Sequence, residues 1–548
     1  MSSSQVVSAP KTAGRFRRWV GNFGWPILLR ELQADFRKNR FLLTHSLCMC
    51  LLGMVVLVLV AHQVEAGSTP TEIGQRLFSL FFVVQYVVIL IVFPAFSAAS
   101  FAEERNRFTL DLLLTTTLRP SEIVWGKFLS ATVYCLLYVV TSIPLMSVAF
   151  LFGGITLEEV FFAYGVLILA TLLVSVLGVC VSSCLGTSIR STLAMYVLVF
   201  AWLAFSWILY DQLQSEQELL SIVRKLQVYL GFGEEGFYLK LSALGLILVA
   251  VFSYLFIITT NRIRPPADNK ATALRILTFA SVTAILGTYA WHSWVTMQAR
   301  DPEGIILLAM FVLLVVAWIF PTEEAYVSRR SQRTFRSWSG IRYPFRVFAP
   351  GAFWGFLYAA TLSLVVCGGL YTLWVGFVEI EGSSDRVFVS QEMNEAIRAS
   401  LTTLPFYLLA VAAAGFFLGA CDFSPLYARL TVIFVFIITL LLPVIFWVSD
   451  QKDTLWTLYF MSPITVWNSI KPDGNGIPRS EITYQLFDLP VIDLAKIFFG
   501  LIAVVFFVAG VRLCCRAGYP LCRFDGVVKK TVSTKPAIAD SAAATPTA

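Results

Sequence analysis

Long apolar runs separated by short polar segments are the main pattern of this 548-residue sequence. Twelve runs pass almost without charge over at least about 17 residues, the length needed to cross about 30 Å of hydrocarbon. They are 41–61, 77–101, 128–152, 160–187, 191–210, 241–260, 276–296, 304–320, 351–376, 399–420, 430–448 and about 491–511. We therefore expect an all-α, polytopic integral membrane protein with about twelve transmembrane helices.

Composition supports this class. Hydrophobic residues make up 57% of the chain and charged residues 14%. Soluble domains have roughly 45–50% apolar and about 25% charged residues. These values exclude a water-soluble globular protein and a disordered one.

The distribution of charge predicts the orientation. If the N-terminus is inside, 30 of the 41 Lys and Arg residues lie in the inner segments, while 22 of the 34 acidic residues lie outside. Lys and Arg in short loops favour the cytoplasmic side of a membrane. We expect both termini inside, and a multi-pass protein of the plasma membrane, here a bacterial inner membrane.

The candidate chemistry of the chain is sparse. The three histidines are far apart in sequence, and Cys514, Cys515 and Cys522 lack a fourth ligand, so we expect no metal site. None of the ten cysteines lies in an outer loop, so no external disulfide framework is indicated. A Walker A pattern is absent, which leaves no ATP phosphate site of that kind.

Several polar segments have amphipathic patterns. Residues 1–40 form a basic cytoplasmic leader whose part 24–40 is typical of a helix lying on the membrane surface. A second interfacial helix is predicted at 212–230. The arginine-rich inner loop 321–350 favours lipid headgroups over nucleic acid. Residues 514–548 are a basic cytoplasmic tail that we expect to be disordered.

The inner loop 102–127 is the most informative segment. Its leucines form a compact apolar stretch bracketed by charge, and Thr115, Thr116, Thr117 and Pro120 are expected to end it. This pattern predicts a short helix at about 107–118 between two spans. Exposed leucines there would need the headgroup region, another protein or the chain's own bundle to cover them.

The sequence over about residues 24–265 resembles the permeases of type-2 ABC exporters. In that family the loop typically has the pattern E-K-E-R-G-T-L-E-x-L-L-x-T-P-L-x-x-x-E-I-x-x-G-K. Phe108 replaces the family glycine, which leads us to expect a different turn, and Thr116 or Thr117 replaces a proline. The matching residues are Glu103, Glu104, Thr109, Leu110, Asp111, Leu113, Leu114, Thr115, Leu118, Pro120, Glu122, Ile123, Gly126 and Lys127.

The resemblance implies a transport subunit that is not itself an enzyme and has no cofactor. ATP and Mg would bind to separate ABC ATPase subunits, and the partners would be those subunits, membrane lipids and a second permease, either a homodimer or a paired chain. Residues 41–265 would form a six-span permease-like domain, and 266–513 a second six-span region. The expected coupling and docking residues are Glu103, Glu104, Arg107, Thr109, Leu110, Asp111, Leu113, Leu114, Pro120 and Glu122.

Two other function classes stay open. A secondary transporter, ion-coupled or facilitative, suits twelve spans, but such transporters usually need buried ionisable groups, and the clearest spans have none in their interiors. A membrane enzyme would need nucleophiles, paired carboxylates or metal ligands near an interface, and no such arrangement is evident. The substrate is not indicated by the sequence.

Overall fold

The computed structural model describes residues 25–37, 39–65, 69–106, 108–116, 118–214, 237–265, 268–296, 302–323, 344–381, 391–421, 427–432, 483–484 and 489–516. Several sequence predictions therefore lie largely outside the described residues. They are the basic leader before Trp25, most of the helix at 212–230, most of the loop 321–350, most of the span at 430–448 and the tail after Arg516.

Helices dominate the described residues. The helices that lead to the loop are α1 (Trp25–Phe36), α2 (Asn39–Glu65), α3 (Pro70–Val92), α4 (Pro94–Asn106), α5 (Leu110–Leu114), α6 (Pro120–Thr141), α7 (Ile143–Phe152) and α8 (Leu157–Cys184). The later ones are α9 (Ser188–Gln214), α10 (Phe237–Ile263), α11 (Ala271–Thr296), α12 (Pro302–Ile319), α13 (Ala352–Glu381), α14 (Gln391–Ala420) and α15 (Val491–Arg516).

Three short elements accompany the α-helices. The two-residue strands β1 (Thr483–Tyr484) and β2 (Leu489–Pro490) pair antiparallel, and a 3₁₀ helix spans Pro344–Phe348. They do not change the class predicted from the sequence.

Nine helical stretches of the described residues are long and apolar enough to cross a membrane. They are Leu42–Gln63, Pro70–Asn106, Pro120–Phe152, Leu157–Cys184, Leu244–Ile263, Ala271–Thr288, Ala352–Val375, Leu401–Ala420 and Lys496–Arg516. The chain is thus a multi-pass, mainly α-helical membrane protein. The apolar helices Ser188–Ala204 and Ala309–Ile319, at two other predicted spans, are shorter.

The chain divides into two compact units. The first comprises Met1–Pro266 and Ala273–Gln298, and the second comprises Ala267–Thr272 and Ala299–Ala548. The candidate functional site lies wholly in the first unit.

Two of the long membrane stretches in the first unit are interrupted about two thirds of the way along. Helix α3 gives way to α4 at Pro94, and α6 gives way to α7 at Ser142, two residues before Pro144. Proline has no backbone N–H to continue a helical ladder. The two breaks lie close together, since the rings of Phe93 and Tyr138 are 5.4 Å apart.

A close crossing of α4 and α8 fixes the end of the bundle that holds the loop. Gly178 faces Ser97, and a methyl group at Gly178 would overlap the Ser97 side chain. Near this crossing, Ser182 Oγ accepts hydrogen bonds from the backbone N–H groups of Phe101 and Ala102 at 2.9 and 3.1 Å. The last turn of α4, from which the loop emerges, is therefore anchored to α8.

In the second unit, aromatic side chains join three helices. The ring of Phe507 on α15 lies 4.9 Å from that of Phe356 on α13 and 5.8 Å from that of Phe416 on α14. Gly510 allows close approach, because a Cβ there would come within 2.8 Å of the Phe416 ring.

Candidate functional site

Helix α4 ends in a tight turn centred on Phe108. The Phe108 N–H donates to the Arg105 carbonyl at 3.1 Å, and the Thr109 N–H donates to the Glu104 carbonyl at 3.0 Å. This pair of bonds is the Schellman arrangement, which places the residue after the helix cap in the left-handed region. Phe108 has φ +56° and is the only non-glycine residue with positive φ in the described part of the chain. The sequence led us to expect a different turn, but Phe108 itself adopts the conformation that glycine favours.

Helix α5 follows at once and has two faces. Leu110 and Leu113 are buried. Their cluster is formed by residues of α1, α4, α6, α8 and α10, namely Ile27, Phe101, Ile123, Val124, Val179 and Ile263. Leu112, on the other face, is 70% exposed, and Phe108 just before the helix is 87% exposed. One side of the loop is therefore fixed to the bundle while the other presents apolar side chains.

The threonines end α5 as the sequence predicted. The hydroxyls of Thr115 and Thr116 donate to the carbonyls of Leu112 and Leu113 at 2.7 and 2.6 Å. The backbone N–H groups of the same two threonines also donate to these carbonyls, both at 3.3 Å, so the last carbonyl groups of the short helix are well satisfied.

Helix α6 begins at Pro120, so the proline starts this helix. Proline suits a first helical position because its missing N–H is not needed there. The Glu122 carboxylate accepts the backbone N–H of Arg119 at 3.0 Å and so caps the helix. Pro120 and Glu122 thus have a local role in turning the chain.

A buried ionic cluster joins α1, α4 and α6. The Lys127 ammonium, on a side chain that is 1% exposed, lies 3.0 Å from Glu104 Oε1 and 3.4 Å from Glu31 Oε1. It also donates to the Ser100 carbonyl at 2.9 Å. Arg30 contacts both carboxylates at 3.0 Å. The two carboxylates thus compensate the removal of Lys127 from water, while Arg30 lies at the edge of the site with 56% of its side chain exposed.

The electrostatics of α1 follow from this cluster. Burial alone would raise the pKa of Glu31, but the charge of Lys127 and the charge and hydrogen bond of Arg30 outweigh it. The pKa of Glu31 is therefore held below its usual value. A carboxylate stabilised in this way attaches α1 to the base of the loop.

An open cavity of about 970 Å³ lies beside the ionic cluster. Its walls combine charged residues of the cluster with apolar residues of α1, α2, α4, α5 and α6. The lining residues of the loop are Glu103, Glu104, Thr109, Leu112, Leu113 and Thr116.

The predicted docking residues therefore fall into separate environments. Glu103, Glu104 and Thr109 lie at the cavity, and Leu110, Leu113 and the half-buried Leu114 pack into the core. Pro120 and Glu122 start α6. Arg107 lies outside the described residues, and Asp111 belongs to α5 but its side chain lies outside them.

Sequence reasoning missed the cluster formed by Arg30, Glu31 and Lys127. The sequence placed Arg30 and Glu31 only within the interfacial helix 24–40, and Lys127 only as the last residue that matches the family loop pattern. Their contacts join positions 74 and 96 residues apart, which no local pattern reveals.

The described residues contain no group of three or more His, Cys, Asp or Glu side chains that could hold a metal ion. In comparisons with known proteins, no protein-family model, no curated protein and no solved structure matches this chain.

Proposed function

We propose that this chain is the membrane-spanning permease subunit of an ATP-driven ABC exporter. A separate ATPase subunit would bind ATP and Mg, dock on α5 and transmit the work of hydrolysis to the spans. The observation that supports this most is the two-faced loop: Leu110 and Leu113 of α5 are fixed to the bundle, while Leu112 of α5 and Phe108 just before it are exposed.

Force transmission requires a firm attachment, and α5 has one. Leu110 and Leu113 pack against side chains from five other helices of the first unit. A push on α5 would therefore move α4 and α6 together, because both flank the loop and are joined by Lys127 and Glu104. Packed interiors pass displacement on rather than absorbing it.

The exposed side of the loop has features of a contact surface. Phe108 has a large, exposed apolar side chain and a left-handed backbone conformation. The left-handed conformation alone costs a non-glycine residue roughly 1–2 kcal/mol. Backbone strain of this kind clusters at functional sites. Covering Phe108 and Leu112 with a partner protein would recover apolar burial at the strained position.

The proposal includes twelve spans, with both termini in the cytoplasm of a bacterial cell, so that α5 faces the ATPase. Reporter fusions test this orientation. A C-terminal green fluorescent protein should fluoresce, and a C-terminal alkaline phosphatase should be inactive. An active phosphatase at the C-terminus would place the chain the other way round or change the number of spans.

The docking itself is tested with candidate ABC ATPases encoded near this chain in its genome. We expect one of them to co-purify with this chain and its ATPase rate to depend on this subunit. Leu112→Ala should weaken the association roughly tenfold, which corresponds to about 1.4 kcal/mol. Leu157→Ala is the matched control, because Leu157 is also largely exposed but lies outside the loop. Equal association for both variants would contradict the docking surface.

A secondary transporter remains the alternative, and the structure provides one observation in its favour. Glu104 and Lys127 are ionisable and largely buried at the ends of two membrane stretches, where such groups often serve ion coupling. Substrate uptake into liposomes driven by an ion gradient, with no ATPase present, would favour this alternative over the exporter.

A further inference from the structure

The cavity beside the ionic cluster contains unsatisfied polar atoms. Glu104 and Ser100 both line it. The second carboxylate oxygen of Glu104, Oε2, and the hydroxyl oxygen of Ser100 are buried and have no hydrogen-bond partner in the part of the chain that the structure describes. Buried polar atoms are nearly always paired in folded proteins. Two unpaired atoms at one cavity indicate a missing hydrogen-bonding group.

The charge of the lining favours a cation. Five charged residues line the cavity: Arg30, Glu31, Glu103, Glu104 and Lys127. The two cations are already engaged with Glu31 and Glu104. The excess negative charge of the lining is that of Glu103, and both cations contact Glu104 through Oε1 alone. An ammonium group would neutralise the excess charge of the lining and supply N–H donors to Glu104 Oε2.

Part of the remaining wall is apolar and belongs to membrane stretches. Leu43, Phe96 and Tyr134 come from three different candidate spans, so the cavity continues from the charged cluster along hydrocarbon-facing helices. Small side chains leave room along this wall, namely Ala95, Ala99 and Ala131. A charged end joined to an apolar wall matches an amphiphile better than a water-soluble side chain of a partner protein.

We propose that this cavity binds an amphiphile with a primary ammonium group. The ammonium donates to Glu104 Oε2, with Ser100 Oγ as a further polar partner, and the alkyl chain lies against the wall formed by α2, α4 and α6. The inference does not rest on ATPase docking. The same chemistry has two sources: an aminophospholipid such as phosphatidylethanolamine, or a single-chain alkylammonium compound.

The experiment uses the full chain in nanodiscs without any ATPase. Photoactivatable phosphatidylethanolamine and phosphatidylcholine, matched in their acyl chains, are compared for labelling of α2, α4 and α6 by mass spectrometry. The quaternary headgroup of phosphatidylcholine has no N–H to donate. We expect roughly tenfold stronger labelling by phosphatidylethanolamine, the effect of one charged hydrogen bond. Dodecylammonium should compete with this labelling and dodecanol should not.

Two variants locate the site. Glu104→Gln should remove most of the preference for the primary amine, and Ala131→Leu should reduce labelling by filling the cavity without touching the ionic cluster. Ala201→Leu, on an exposed position of α9, is the control for the added bulk.

If dodecylammonium competes but the two lipids label the chain equally, the binding site is supported and its ligand is a single-chain alkylammonium compound. Equal labelling by both lipids together with no competition by dodecylammonium would overturn the proposal. That result would instead favour a basic side chain of a partner protein as the group that occupies the cavity. Neither result depends on whether an ATPase binds α5, so the two proposals fail separately.

Discussion

Lys127 and Glu104 form an ion pair of 3.0 Å across the two ends of the loop, and the lysine is almost completely shielded from water. Lys127 belongs to the first turns of α6 and Glu104 to the last turn of α4. The pair therefore closes the loop at its base, and the short helix α5 stands on this closed base. Arg30 and Glu31 extend the same contact to α1.

Breaking this pair should be costly. Replacing Lys127 with Met leaves Glu104 and Glu31 with only the half-exposed Arg30 as a cation. We therefore expect a cost somewhat below the roughly 3–5 kcal/mol of a buried charge left without any partner. We expect a clearly lower thermal midpoint for the purified chain in detergent. The double variant Lys127→Met/Glu104→Gln should recover part of this loss, since no orphaned charge remains at Glu104. A double variant no more stable than Lys127→Met alone would show that the two side chains are not coupled.

The two faces of α5 should respond differently to truncation. Leu113→Ala removes buried methyl groups and should cost about 2–5 kcal/mol of unfolding free energy. Leu112→Ala, at an exposed position, should change it by less than about 0.5 kcal/mol. Thermal unfolding of the isolated chain measures both. Similar losses at the two positions would mean that α5 is not oriented as described.

Acidification should weaken the attachment of α1. The pKa of Glu31 is held below its ordinary value of 4.5, so its contribution to stability is fully present above that pH. The contribution is lost as the pH falls through the lowered value. Wild type should therefore be more stable than Glu31→Gln at pH 7, and the difference in thermal midpoint should shrink below pH 4.5. A constant difference down to pH 3 would rule out this ionised role of Glu31.

The crossing of α4 and α8 should not tolerate a methyl group at Gly178. A Cβ there would overlap Ser97 and lie 3.2 Å from the backbone nitrogen of Ala98, so Gly178→Ala should cost about 1–3 kcal/mol. Ser97→Gly should restore part of this loss in the double variant, because it removes the overlap with the side chain but not the contact with the Ala98 backbone, and a helical glycine costs roughly 0.5–1 kcal/mol. Gly165→Ala on the same helix is the control, because no atom lies within 4 Å of its added Cβ. Equal thermal midpoints for the two alanine variants would contradict the close crossing.

Hydropathy and turn residues predicted much of the fold. Apolar runs such as 128–152 and 160–187 largely coincide with the membrane-length helical stretches Pro120–Phe152 and Leu157–Cys184, because burial in lipid requires length and apolar character that are visible in the sequence. The short helix of the loop was expected at about 107–118 and is confirmed over Leu110–Leu114. The count of twelve spans and the orientation stay predictions.

The candidate site was less predictable because it depends on long-range packing. Leu113 and Leu112 look alike in the sequence, and only the packing against α1, α6, α8 and α10 decides which one is buried. Phe108 was expected to change the turn, yet the two hydrogen bonds that end α4 hold it in the left-handed region. The partners of Lys127 come from helices far apart in sequence.

The central claim is that a partner ATPase docks on the exposed side of α5, and Phe108→Gly tests it most directly. Glycine relieves the left-handed strain, so the variant should be about 1 kcal/mol more stable than wild type, while the lost aromatic contact should weaken ATPase association. Phe108→Ala, which keeps the strain, should weaken association without the gain in stability. We predict a higher thermal midpoint and a lower ATPase affinity for Phe108→Gly; unchanged affinity in a chain that is at least as stable as wild type would contradict the account.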